Sequence, residues 1–126
     1  MSQLLWIGLG GALGAMSRFW VVSFLARKLG TGFPYGTLAV NALGSFVMLF
    51  FLTLLADRLV ESPHLRLLVA VGFLGSFTTF SSFSYETLFL YQEGEYMKAV
   101  ANLFLNNLLA LGFGVLGLFS ARSLMA

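Results

Sequence analysis

Residues 72–86 read GFLGSFTTFSSFSYE, with six Ser and Thr hydroxyls, two glycines and four phenylalanines in one short stretch. The sequence just before it, LLVAV at 67–71, is purely apolar, and TLFL at 87–90 nearly so. Hydroxyls gain nothing from facing lipid tails, and phenylalanines gain nothing from facing water. The stretch therefore belongs inside a membrane domain, where other helices or a second copy enclose it. How it is used depends on what the rest of the chain places around it.

The chain has 126 residues, is 59% hydrophobic and only 10% charged, and has a mean hydropathy of +0.91, which no soluble domain of this size can hide. A spanning helix needs ~20 mostly apolar residues, and four windows qualify: about 4–26, 37–56, 65–91 and 96–122. The first ends at Arg27 and Lys28, the second at Asp57 and Arg58, and the third and fourth are parted by QEGE. The first window lacks a basic start and reaches full spanning length, so it reads as a helix and not as a cleaved signal. Short loops make neighbouring spans antiparallel. The expected fold is thus all-α, a single four-helix transmembrane domain over 1–126.

With four spans, both termini and the ESPH loop share one side, with Arg58, Arg66 and Arg122, while Arg27, Lys28 and Lys98 lie on the other. Equal charge on the two sides leaves the positive-inside rule nothing to choose between. Each copy can then insert either way up, which points to an antiparallel pair. A net charge of +2, without a basic cluster, offers nothing to nucleic acid. With no cysteine and one histidine, disulfides and thiolate metal or redox sites are excluded. His64 reads as a polar loop residue after Pro63.

Several residues do not belong in lipid. Arg18, inside the first window, costs several kcal/mol there unless it reaches water, protein or headgroups. It is far from the helix end for snorkelling, and Gly8, Gly10, Gly11 and Gly14 give its helix a close-packing face, so an anion-attracting vestibule is the favoured reading. Asn41 either glues helices together or presents its amide hydrogens to an anion, and Thr37, one turn earlier, extends its polar face. Thr79, Ser82 and Glu86 recur at i, i+3 and i+7, a hydroxyl stripe ending in a carboxylate that is either a vestibule group or an ordinary helix-end residue. Phe80 and Phe83 share an adjacent face. Ring edges carry partial positive charge and can meet a small dehydrated anion, whereas a cation favours ring faces. Gly75 marks either a kink or a broken helix whose freed carbonyls can ligate a cation. On the last span Asn102 and Asn106 share a face, and Gly112, Gly114 and Gly117 read as packing positions.

With GGALGAMSR at 10–18, YGTLAVN at 35–41 and GFLGSFTTFSSFSYE in order, the chain resembles the Fluc (CrcB) family of fluoride channels along essentially its whole length. The resemblance implies a dual-topology, antiparallel homodimer in a bacterial-type inner membrane, with two fluoride pores and a structural, non-transported sodium ion at the dimer centre. It matches the pore phenylalanines to Phe80 and Phe83, the pore asparagine to Asn41, and the sodium-holding backbone carbonyls to Gly75 and Thr78. Polar-track positions match Thr37, Ser82, Glu86 and Asn106, and the vestibule arginine matches Arg18. Ala110 stands where many relatives carry a serine. The implied function is passive export of fluoride from the cytoplasm.

Neither a nucleotide loop nor a nucleophile and base pair is present, so no enzyme activity is expected. The chief rival is a small four-helix multidrug/proton antiporter, which needs a carboxylate in its first helix. Here that helix offers Arg18 and no acid.

Overall fold

The computed structural model describes residues 1–56 and 63–125. Helix α1 covers Ser2–Leu29 and α2 covers Tyr35–Leu54. The third span, Pro63–Gln92, is assembled from α3 (Pro63–Leu65), a π-helical segment (Arg66–Leu74), α4 (Gly75–Phe77) and, after the non-helical residues 78–80, α5 (Ser81–Gln92). Helix α6 covers Tyr96–Met125. Four spans are long and apolar enough to cross a membrane, at the expected places and each beginning or ending a few residues from the sequence windows. Asp57, Arg58 and the first half of the ESPH loop lie outside the described residues.

The turns follow from local chemistry. Gly30 takes φ +84°, a left-handed conformation that glycine adopts without strain, and its N–H closes α1 on the Ala26 carbonyl at 2.9 Å. Gly94, at φ +80°, does the same between α5 and α6. His64 is not a loop residue. Pro63 begins α3, where its missing N–H costs nothing, and the His64 ring lies 5.1 Å from that of Trp6 on α1.

Helix α6 packs mainly along α2 and α1 along the π-helical segment, while α5 rests on α6. Glycines set both main interfaces. A Cβ on Gly10 would strike the Leu68 carbonyl, one on Gly14 the Phe73 carbonyl, and one on Gly117 the Phe46 carbonyl. These helices meet backbone to backbone, as lipid-embedded helices do when small residues permit it. Gly8 and Gly112 are different: an added methyl would meet nothing among the described residues, so they take no part in the packing between them. Gly14→Ala is therefore expected to destabilise the detergent-solubilised protein by at least about 1–3 kcal/mol through overpacking. Gly8→Ala should leave its thermal midpoint unchanged or slightly raised. Equal midpoints for the two variants would refute the packing role of Gly14.

Large apolar side chains face outward along every span, among them Leu5, Phe19, Leu88 and Leu111, as a bilayer or a second copy requires.

Candidate functional site

The site is built on the interruption of the third span. Thr78 adopts an extended conformation (φ −86°, ψ 160°), with both its N–H and its hydroxyl donating to the Leu74 carbonyl at 3.1 Å. The helix resumes where Thr79 Oγ1 accepts the Ser82 N–H at 3.2 Å and the Phe80 carbonyl accepts the Ser84 N–H at 2.9 Å. Between these points the carbonyls of residues 75–79 receive no helical hydrogen bond among the described residues. Such groups are costly in lipid unless something else satisfies them.

Asn41 on α2 supplies that for Thr79. Its Oδ1 accepts the Thr79 N–H at 2.8 Å and its Nδ2 donates to the Thr79 carbonyl at 3.0 Å. A backbone N–H can only donate and a carbonyl only accept, so this two-point clamp fixes the orientation of the amide. Nδ2 gives its other hydrogen to Asn106 Oδ1 at 3.0 Å. In this state both amide hydrogens of Asn41 are engaged, one on the interruption and one on α6, so the residue joins three elements.

The chain of amides continues. Asn106 Nδ2 donates to Asn102 Oδ1 at 2.7 Å, and Asn102 Nδ2 donates to Thr87 Oγ1 at 2.8 Å. Thr87 spends its own hydroxyl hydrogen on the Phe83 carbonyl at 2.8 Å. The path starts at Thr79, crosses α2 and α6, and returns to α5. Asn102 and Asn106 are both buried in the protein.

Two cavities flank this core. The central one, about 410 Å³, is lined by Asn41, Gly75, Thr78, Thr79, Phe80, Phe83, Asn106 and Ala110, among others. Phe80 and Phe83 meet in it edge to face, their centroids 5.3 Å apart and their planes at 65°. Phe83 is only 6% exposed and Phe80 74% exposed, so Phe83 is anchored and Phe80 stands free. The second cavity, about 210 Å³, lies at the level of the α1–α2 turn and is lined by Thr37 and Glu86 with Tyr35, Tyr85 and Phe89. There Thr37 Oγ1 donates to Glu86 Oε2 at 2.9 Å, while Glu86 Oε1 is buried with no partner among the described residues.

The residues singled out in the sequence are therefore partly gathered and partly separated. Asn41, Phe80, Phe83, Asn106, Gly75 and Thr78 share the central cavity, whereas Thr37 and Glu86 share the other, one helical turn along α2. The continuous stripe of Thr79, Ser82 and Glu86 is corrected. Helical spacing holds from Ser82 to Glu86, but Thr79 lies in non-helical backbone and reaches Ser82 as a cap. The Ser82 hydroxyl makes no hydrogen bond among the described residues and lines neither cavity. Arg18, half-buried on α1, lines neither cavity and forms no ion pair among the described residues, so it stands apart from the cluster. Thr87 was not anticipated. Its one sequence signal is a hydroxyl placed one turn after Phe83 on the side of the span that faces Asn102.

A family model described as "CrcB-like protein, Camphor Resistance (CrcB)" matches residues 5–118. The chain is similar to the protein named fluoride-specific ion channel FluC of Koribacter versatilis, 44% identical over 115 residues that cover 91% of this chain and 90% of that one. It is also 44% identical over 124 residues to the FluC of Sulfurihydrogenibium sp., covering 98% and 100% of the two chains. The FluC of Legionella pneumophila (strain Paris) is 44% identical over 116 residues, 92% of this chain and 87% of its own. The matched region runs from α1 into α6 and takes in the interruption, the Asn41 clamp and both cavities, so this multi-pass integral membrane protein belongs to the CrcB family.

Proposed function

We propose that the protein is a fluoride-selective ion channel, and not an enzyme, that lets fluoride leave the cytoplasm passively across a bacterial-type inner membrane. The observation that carries this reading is the pair Phe80 and Phe83, held edge to face in a cavity whose other polar groups are neutral hydroxyls and amides. Ring edges and neutral donors suit a small, hard anion stripped of water, and the names of the relatives point to the same ion. Arg18, outside the hydrogen-bonded cluster, raises the local anion concentration at a vestibule. Thr37 and Glu86 border one approach to the ion path, and Ser82, outside both cavities in this state, lies one turn before Glu86 on the same helix. At its centre Asn41 and Asn106, whose amide hydrogens are all engaged within the protein in this state, exchange one of those bonds for the passing ion, and Phe80 and Phe83 pass the bare ion along.

The working unit in this reading is an antiparallel homodimer with two pores. Equal charge on the two sides and the outward-facing apolar surface support it. A structural sodium ion at the dimer centre fits the donor set, because Gly75 and Thr78 line the central cavity and their carbonyls accept no helical hydrogen bond among the described residues. Neutral carbonyl oxygens suit a hard monovalent cation, and a second copy doubles their number. The Gly75 and Thr78 carbonyls would hold such an ion, which would satisfy their oxygens and link the copies.

Purified protein in liposomes is expected to release fluoride when a potassium ionophore balances the charge, without a proton gradient and without moving organic cations. Proton-coupled drug uptake would favour the antiporter, and vesicles that stay sealed to fluoride would overturn the channel reading. Thr37→Val removes the hydroxyl that donates to Glu86 Oε2 and is expected to lower fluoride flux several-fold, since one net hydrogen bond contributes about 0.5–1.5 kcal/mol. Thr37→Ser should retain flux. Wild-type flux in Thr37→Val would remove this pair from the path.

A further inference from the structure

We infer that Thr87 and Asn102, neither of which lines the central cavity, are positioning residues that orient the amide chain ending on Asn41 and so hold the interruption at Thr79 in register with α5. The inference rests on the channel reading for its consequence in ion flux, but its structural content stands on the hydrogen bonds alone.

The direction of the chain is fixed independently at both ends. At one end Thr79 accepts and donates through its backbone, so Asn41 must turn Nδ2 toward Asn106. At the other end Thr87 has a single hydroxyl hydrogen, and that hydrogen is on the Phe83 carbonyl at 2.8 Å. Thr87 Oγ1 can therefore only accept from Asn102, which turns Asn102 Oδ1 toward Asn106. Asn106 then has one orientation that serves both neighbours: Nδ2 to Asn102 and Oδ1 to Asn41. The two ends agree at every link.

Asn102 is 0% exposed, so water cannot replace a lost partner. Without the Thr87 hydroxyl, Asn102 Nδ2 is unpaired, and the Asn102 side chain keeps only the bond from Asn106 Nδ2, which also donates to the Asn102 backbone carbonyl at 3.3 Å. A less tightly held Asn102 lets Asn106 and, through it, Asn41 shift, because each amide is oriented by the next. The clamp on Thr79 loosens although neither substituted residue touches it. Phe80, next in the chain and 74% exposed, has little else to hold it.

Thr87→Val keeps the shape of the side chain and deletes only the hydroxyl, whereas Thr87→Ser restores it. In the full-length protein, hydrogen–deuterium exchange at the Thr79 amide is expected to be at least about fivefold faster in Thr87→Val than in wild type, from the weight of one net hydrogen bond. Thr87→Ser should exchange as wild type does. Asn102→Ser, too short to bridge Thr87 and Asn106, should behave like Thr87→Val. In liposomes Thr87→Val and Asn102→Ser should both lower fluoride flux and narrow the preference for fluoride over chloride, with Thr87→Ser at wild-type values. Unchanged exchange at Thr79 in both Thr87→Val and Asn102→Ser overturns the inference, whatever happens to flux. Faster exchange in these variants, alongside a wild-type protein that carries no fluoride, supports the inference and overturns the channel reading instead.

Discussion

Replacing Phe80 by isoleucine is expected to cut fluoride flux at least about tenfold, a barrier increase of about 1.4 kcal/mol, while the protein stays folded. Isoleucine is apolar, so the cavity keeps a hydrophobic wall. What it lacks is a ring edge with partial positive charge, which is the feature that a dehydrated anion meets. Phe80 separates the two effects cleanly because it is 74% exposed and contributes little to internal packing, and its ring contact with Phe83 is one edge at 5.3 Å. Phe83→Ile should block flux as well, but Phe83 is 6% exposed, so that variant also loses stability by about 1–1.5 kcal/mol. Electrode-measured efflux from liposomes, paired with size-exclusion profiles and thermal midpoints, checks both. Normal flux in either variant would remove the aromatic pair from the mechanism.

Asn41→Leu is expected to have the larger effect on the fold. The leucine side chain has a similar volume and no polar atoms. Three hydrogen bonds vanish together: two to the Thr79 backbone and one to Asn106 Oδ1. Each orphaned group costs about 1–3 kcal/mol, and in a bilayer water is not at hand to take the place of the lost partner. A loss of at least about 3 kcal/mol is expected, read as a lower yield of folded protein and a lower thermal midpoint in detergent, with fluoride flux lost. A variant with wild-type midpoint would mean that the interruption at 78–80 holds its shape without Asn41.

These two cases also mark what the sequence could disclose. The four spans were legible because burying a spanning helix in lipid needs a long apolar run, and composition alone reveals such runs. The close approach of α1 to the third span was legible in Gly10 and Gly14, though not the fact that Gly8 faces away, since spacing gives a face but not which neighbour it meets. Asn41 was recognisable as an intruder, yet its partner lies 38 residues away and the next link 65 residues away. Such pairings depend on how far each helix is rotated about its own axis, which the 3.6-residue period does not determine. The Thr79–Ser82–Glu86 stripe misled for a related reason: periodicity assumes a continuous helix, and the extended backbone at Thr78 shifts everything before Ser81 off the α5 register. Likewise Thr37 and Asn41 share a helix face but serve different cavities.

The same geometry explains why Thr87 escaped notice. A threonine inside a helix often bonds back to the carbonyl four residues earlier and does nothing further. Here that bond, to Phe83, turns the hydroxyl into a pure acceptor for Asn102, and only the packing of α5 on α6 brings the two together.

The central claim, that neutral donors and ring edges conduct one anion selectively, is tested most directly by the reversal potential of the reconstituted protein in a planar bilayer. With equal chloride on both sides and a tenfold fluoride gradient, the account predicts a reversal potential of about 59 mV at the sign expected for an anion, and none when the gradient is chloride. A potential that follows chloride or a cation, or a bilayer that carries no current in fluoride, would contradict it.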